Sequence, residues 1–109
     1  MGGMRRFLAL AALVGAILVH SSARAQVVTI SVEDGLEVTP PAVQIDAGMT
    51  VTFTNDGLLV HNVVADDGVF ESPLMAPGDS WSTVLDVPGT HAFHCMLHPG
   101  LMAGTITVR

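Results

Sequence analysis

The chain has 109 residues, half of them hydrophobic, and a formal net charge of −6 at pH 7. All ten acidic side chains lie in residues 26–109, whereas the only base in that segment is Arg109, which gives it a formal charge of −9. This charge excludes nucleic acid and anionic membranes as expected partners, because their phosphates attract basic surfaces. A segment of this size can bury one modest core and leaves no room for a second domain.

The first 25 residues have the pattern of a secretory signal peptide. The pair Arg5-Arg6 precedes an apolar run over residues 7–19, and residues 23–25 (Ala-Arg-Ala) fit a small-x-small cleavage site. The apolar run is too short for a bilayer-spanning helix, which needs about 20 residues. We therefore predict a cleaved signal over residues 1–25, a single mature domain over residues 26–109, a periplasmic or secreted location and no stable insertion into the membrane.

The segment after the signal predicts an all-β sandwich. Val51 and Phe53 alternate with threonines, as Ile106 and Val108 do, and this two-residue period is typical of half-buried strands. Pairs of Pro-Gly and Asp-Gly separate the apolar stretches, as turns do. Residues 66–79 are the least regular and are expected to form a loop or a short helical turn. We predict seven to eight short strands, near residues 27–32, 36–39, 42–46, 50–55, 61–65, 80–86, 90–95 and 104–108.

The strand predicted over residues 90–95 shows which histidines could bind a metal ion together with Cys95. Its side chains alternate between two faces, so His91 shares a face with Cys95 whereas His94 points away. His91 lies four residues from Cys95, or roughly 13 Å along a strand, which is too far for both to bind one ion. One further histidine lies in the predicted signal, so His61 and His98 remain as candidate ligands.

One cysteine, two histidines and one methionine form the set on which the functional prediction depends. Cys95, His98 and Met102 fall within eight residues, and His61 lies 34 positions before the cysteine. A thiolate, two imidazoles and a weak thioether make the His₂Cys site with axial Met that holds copper for electron transfer. Zinc could use the same ligands but would leave the thioether without a purpose. A cysteine nucleophile is a further alternative, but no oxyanion-donor motif accompanies it.

The segments that carry these residues resemble the blue copper proteins, or cupredoxins. Residues 89–99 (Gly-Thr-His-Ala-Phe-His-Cys-Met-Leu-His-Pro) are followed by residues 102–105 (Met-Ala-Gly-Thr), and residues 61–63 (His-Asn-Val) lie upstream. The pattern is most similar to amicyanin, with plastocyanin and pseudoazurin close behind. The resemblance implies a Greek-key β-sandwich with one copper ion at one end, and a side chain of Asn62 that bonds across to the ligand loop. It implies these ligands: equatorial His61, Cys95 and His98, and axial Met102.

Together these features predict an exported electron carrier rather than an enzyme. The protein would act as a monomer and shuttle single electrons between a donor and an acceptor, each a redox protein or enzyme, while copper changes between Cu(I) and Cu(II). Electrons are expected to pass at the ring edge of His98, within an apolar docking patch. The patch is predicted to contain Leu58, Leu59, Met75, Pro99 and Leu101.

Two other functions are compatible with the same residues. One is a periplasmic protein that binds or delivers copper, which would release the metal readily to a competing site. The other is a cupredoxin-like module that serves as a structural or interaction domain without metal. The presence of all four ligand types argues against the second of these.

Overall fold

Two four-stranded sheets make up the part of the chain that the structure, a computed structural model, describes: residues 26–35, 37–98 and 101–109. The predicted signal peptide lies outside the described residues. Within them, no helix is long and apolar enough to cross a membrane. The strands, in chain order, are β1 (Val27–Val32), β2 (Val38–Thr39), β3 (Ala42–Ile45), β4 (Met49–Asn55), β5 (Val64–Ala65), β6 (Ser80–Leu85), β7 (Gly89–His94) and β8 (Gly104–Val108).

The chain passes repeatedly from one sheet to the other. The first sheet has the order β2-β1-β4-β6 and the second the order β3-β8-β7-β5. As a result β1 pairs in parallel with β4, and β3 in parallel with β8, while the other pairs are antiparallel. Parallel neighbours need such crossovers, because a short hairpin can join only antiparallel strands. The predicted all-β sandwich of eight strands is confirmed.

The strand alternation read from the sequence decides which side chains fill the space between the sheets. In β4 the buried positions are Val51, Phe53 and Asn55, with the threonines between them facing outward. Phe53 is the centre of an aromatic cluster, with its ring centroid 5.4 Å from that of Phe93 and 5.6 Å from that of Phe70. Such pairs stabilise by about 0.5–1.5 kcal/mol each beyond the area they bury.

The strand predicted over residues 61–65 is much shorter in the structure. Only β5 is regular there, and His61 makes a single bridge to Met75. The reason lies in the backbone donors: the N–H of Asn62 points to Cys95 Sγ at 3.5 Å, and the N–H of Val63 donates to Ser72 Oγ at 2.9 Å. Because side chains accept these two N–H groups, the groups cannot donate to a neighbouring strand. Residues 66–79 contain no helical turn and instead make isolated bridges at 71 and 75.

His91 is buried inside the sandwich, on the face that the alternation predicts. Its Nδ1 lies 2.6 Å from Asp67 Oδ2 and its Nε2 lies 2.7 Å from the carbonyl oxygen of Val87. Both partners are acceptors, so the ring satisfies both contacts only as an imidazolium. The Val87 carbonyl, followed by the Asp67 carboxylate, raises the pKa of His91 above its ordinary value. The same contact, with His91 as the main cause, lowers the pKa of Asp67.

His91 should therefore stabilise the fold more strongly in mild acid than in base. A raised folded-state pKa contributes stability that is fully present below the ordinary pKa of 6.5 and is lost as the pH rises through the folded value. The lowered pKa of Asp67 adds stability above 3.8 that is lost only as the pH falls through its folded value. Urea unfolding should show a larger stability difference between the wild type and His91→Phe at about pH 5.5 than at about pH 8.5. Asp67→Asn should lose part of the same component, because the Val87 carbonyl still faces the His91 ring, and a pH-independent difference between wild type and His91→Phe would contradict the assignment.

Candidate metal centre

The residues singled out from the sequence meet at one end of the sandwich because of the pairing of β5 with β7. The register sets Val64 opposite His94, so the residues before β5 lie beside those that follow β7. Asn62 is thereby brought against Cys95 and Met96. The same end receives the loop after β4, residues 56–60, which leads into His61. Two segments that are more than 30 residues apart in the chain thus form one site.

Asn55, at the end of β4, shapes the loop that carries His61. Its side chain is fully buried, and its Nδ2 donates to the carbonyl oxygens of Leu59 and Met75 at 2.8 and 2.9 Å. Its Oδ1 accepts from the N–H of Gly57 at 2.9 Å. The sequence analysis missed this role, although the Asn-Asp-Gly turn signal is typical of asparagine bonding to its own loop.

His61 is fully buried, and each of its ring nitrogens has a different environment. Nε2 lies 2.8 Å from Asp34 Oδ1, while Nδ1 is buried with no hydrogen-bond partner among the described residues. The backbone of His61 exchanges two hydrogen bonds with Met75, which fixes the position of its Cα. Because a buried polar atom without a partner is costly, Nδ1 is the atom of this site most in need of a ligand.

Asp34 is a member of the site that the sequence did not reveal. It lies in the turn between β1 and β2 and accepts the N–H groups of Leu58 and Leu59 at 2.6 and 3.1 Å. The Leu58 N–H, followed by the His61 ring, lowers the pKa of Asp34 below its ordinary value, although burial acts against them. An aspartate in a surface turn gives no sequence signal of this contact, because its partners follow it by 24 to 27 residues.

Cys95 follows β7 and is fully buried, with its thiol against Asn62. Sγ lies 3.5 Å from both the backbone nitrogen and Oδ1 of Asn62, and Oδ1 also accepts the N–H of Met96 at 3.0 Å. The contact to the ligand loop expected from the resemblance is therefore present in the geometry. When the thiol is deprotonated, the Asn62 N–H is placed to donate to the sulfur.

His98 and Met102 complete the predicted set. The ring of His98 is half-buried, with its centroid 5.5 Å from that of His61. Its backbone N–H donates to the carbonyl of Cys95 at 3.2 Å, so residues 95–98 form a turn, and its own carbonyl accepts from the N–H of Leu101 at 3.0 Å. Met102 has a positive φ of 54°, and its buried side chain belongs to the core cluster that fills the sandwich.

The donor set fits a copper ion in its chemistry. A buried thiol, two neighbouring imidazoles and a buried thioether are the donors that a copper site of this type uses. The unpartnered Nδ1 of His61 supplies a free donor within the set. Among residues 26–35, 37–98 and 101–109, no three His, Cys, Asp or Glu side chains are already drawn to ion-binding distance of one point.

The surface around this end is apolar, with one correction to the predicted docking patch. Leu58 is 84% exposed, and Leu59 and Leu101 are also exposed. Met75, predicted as a member, is buried instead, because its backbone pairs with His61 and its carbonyl accepts from Asn55. Pro99 lies outside the described residues. Other exposed apolar side chains close in sequence to the site residues are Leu74, Met96 and Leu97.

Comparison with known proteins finds close relatives. Residues 25–109 match the family described as copper binding proteins of the plastocyanin/azurin family. Chloroplastic plastocyanin of Hordeum vulgare is 38% identical over 113 residues, covering 92% of this chain and 73% of that protein. A purple cupredoxin from Nitrosopumilus maritimus superposes with a TM-score of 0.68 at 29% identity, over 74% of this chain and 98% of that one. A reduced variant of amicyanin gives 0.69 at 26% identity, over 77% and 83%.

The Asn62 contacts should be important for stability even without metal. Asn62→Ala removes the acceptor of the Met96 N–H and leaves that donor unpaired beside a buried residue, which costs about 1–3 kcal/mol. Urea unfolding of the metal-free protein would measure this loss. Thr52→Val is a suitable control, because it keeps the β-branched shape in β4, removes only the hydroxyl that pairs with Ser82, and should change stability by less than about 0.5 kcal/mol. Equal losses in the two variants would contradict the role assigned to Asn62.

Proposed function

Because the chain belongs to the plastocyanin/azurin family of copper-binding proteins, we propose that it is an exported type 1 copper protein that shuttles single electrons between redox partners. The observation that carries the proposal is a fully buried His61 with an unpartnered Nδ1, whose ring lies beside that of His98. Copper bound there changes between Cu(II) and Cu(I) and so accepts and returns one electron. The protein is a carrier and not itself an enzyme.

Four side chains would hold the ion, each in a different role. The thiolate of Cys95 and the imidazoles of His61 and His98 would be the strong donors, and the thioether of Met102 would be the weak one. Asn62 steadies the cysteine through the contacts at 3.5 Å. Because His61 and Cys95 are buried and held by hydrogen bonds, little movement of these two donors would accompany a change of oxidation state, which favours fast electron transfer.

Electrons would enter and leave through His98. Its ring is the more exposed of the two imidazoles, and the exposed residues Leu58, Leu59 and Leu101 form the apolar patch of the proposal. An apolar patch on a strongly acidic protein suits brief contact: charge guides approach, and the patch orients the partners without tight binding. The N-terminal signal pattern supports export to the periplasm or beyond, and the high charge and small size support a monomer.

A blue thiolate-to-copper absorption band is the first expected result. The mature protein, given stoichiometric Cu(II), should show an intense visible band from the bond to Cys95, and Cys95→Ser should lose it because the thiolate is the donor of that transition. A visible absorption spectrum measures the band in each protein, and a redox titration followed at that band shows whether the bound copper accepts and returns one electron. A pale Cu(II) form that releases metal readily to a chelator would favour copper delivery over electron transfer.

The apolar patch can be tested without knowing the physiological partner. Electron self-exchange between Cu(I) and Cu(II) copies, measured by NMR line broadening, should slow several-fold in Leu101→Asp while the blue band is retained, because a charge enters the docking surface. Val84→Asp is the matched control, since Val84 is exposed in β6 opposite Thr50, at the far end of β4 from Asn55. An equal effect of both variants would mean that net charge, and not the patch, controls the exchange rate.

A further inference from the structure

The turn between β1 and β2 reaches the metal centre through Asp34. Its carboxylate accepts three donors at once: the His61 Nε2–H at 2.8 Å and the backbone N–H groups of Leu58 and Leu59 at 3.1 Å or less. The His61 side chain is 0% exposed and that of Asp34 is 31% exposed, so the carboxylate joins the buried ring to the surface. The loop that carries His61 is thus held by Asn55 from inside and by Asp34 from outside.

This contact decides which nitrogen of His61 is available. A neutral imidazole has one N–H and one bare nitrogen, and the hydrogen bond made by one determines the state of the other. With Asp34 accepting from Nε2–H, Nδ1 is left unprotonated, and Nδ1 is also the buried atom that lacks a partner. Both observations indicate the tautomer with its proton on Nε2, and both leave Nδ1 as the atom that would bind the ion.

Gly57 makes room for the carboxylate. A Cβ at position 57 would lie 2.2 Å from Asp34 Oδ1 and 2.8 Å from its Cγ, which is closer than real contacts allow. The N–H of Gly57 is meanwhile bonded to Asn55 Oδ1 at 2.9 Å, so the loop holds its path directly against Asp34. The turn and the loop therefore fit each other at the point where the carboxylate meets His61.

We propose that Asp34 is a positioning residue of the copper site: its carboxylate orients His61 through Nε2 and lowers the reduction potential by favouring Cu(II) over Cu(I). The inference rests on the proposed copper function. An anion bonded to a ligating imidazole makes the ring a stronger donor and adds negative charge next to the ion. Both effects stabilise the oxidised state more than the reduced one, because Cu(II) carries the larger charge.

Asp34 could instead change the reduction potential only through its charge, as any of the ten acidic residues could. The chain contains a matched control for that possibility. Glu33 is the neighbouring residue in the same turn and is exposed; among the described residues its side chain makes one hydrogen bond, from the hydroxyl of Ser31 at 3.3 Å. Glu33→Gln removes the same formal charge as Asp34→Asn from almost the same place. Only Asp34 bonds to His61, so a difference between the two variants reports the contact.

The test is the reduction potential of the copper-loaded wild type, Asp34→Asn and Glu33→Gln, measured by redox titration of the blue band. We expect Asp34→Asn to keep the band and to shift the Cu(I)/Cu(II) equilibrium toward Cu(I) by about tenfold, or 59 mV for one electron. Glu33→Gln should shift it by much less. Equal shifts in the two variants, or no shift in Asp34→Asn, would overturn the proposal.

A second route covers the case in which Asp34→Asn fails to fold, as judged by circular dichroism. Gly57→Ala leaves every charge in place but displaces the Asp34 carboxylate, so the potential should again rise, and an unchanged potential would overturn the proposal. In the Cu(I) wild type, the Nε2–H proton of His61 should exchange slowly with water, and Asp34→Ala should make that exchange fast; equal rates would also overturn it. A wild type that shows no blue band would instead refute the copper carrier itself, which is a separate outcome.

Discussion

The hydrogen bonds of Asn62 to Cys95 and Met96 join the two halves of the site, and the rest of the arrangement depends on them. They occur where the ladder of β5 and β7 ends, so the pairing that begins with Val64 and His94 is continued by side chains. This continuation holds the only cysteine of the chain against the segment that contains His61. If the ladder of β5 and β7 had continued here, every second side chain would point away from the site, because neighbouring residues of a strand point to opposite faces.

Burial of polar groups is the second organising constraint, and among the described residues every buried side-chain nitrogen or oxygen but one has a hydrogen-bond partner. Asn55 uses both ends of its amide on the loop before His61, and His91 uses both ring nitrogens on Asp67 and Val87. Among the described residues, the buried side-chain atom left without a partner is Nδ1 of His61. This atom is the one that the proposed copper site would use as a donor.

Charge and apolar surface have separate tasks in this molecule. The acidic side chains are distributed along the chain from Glu33 to Asp86 and give the domain a long-range field. The exposed leucines at positions 58, 59 and 101 instead lie within three residues of the candidate ligands His61 and His98 in the chain. Asp34 adds to this field and also contacts the candidate ligand His61. One residue can thus connect the surface potential with the chemistry of the ion.

Much of the fold could be predicted from sequence, because the local rules of strands and turns were sufficient for it. The two-residue alternation predicted the strands and the inward face of Phe53 and His91, and the spacing of His61, Cys95, His98 and Met102 predicted a copper site. The exceptions were long-range. Met75 was predicted to lie in the docking patch, but its backbone pairing with His61 buries it.

The sequence by itself determined the all-β class, the charge and the donor types, because composition and short periods are local properties. Only the tertiary structure decided that Asn55 and Asp34 hold the loop before His61, that Nδ1 is its free nitrogen, and that the strand expected over residues 61–65 gives way to side-chain bonds. Most of these contacts join residues that are far apart in the chain. They depend on which strands become neighbours, and no local pattern of residues carries that information.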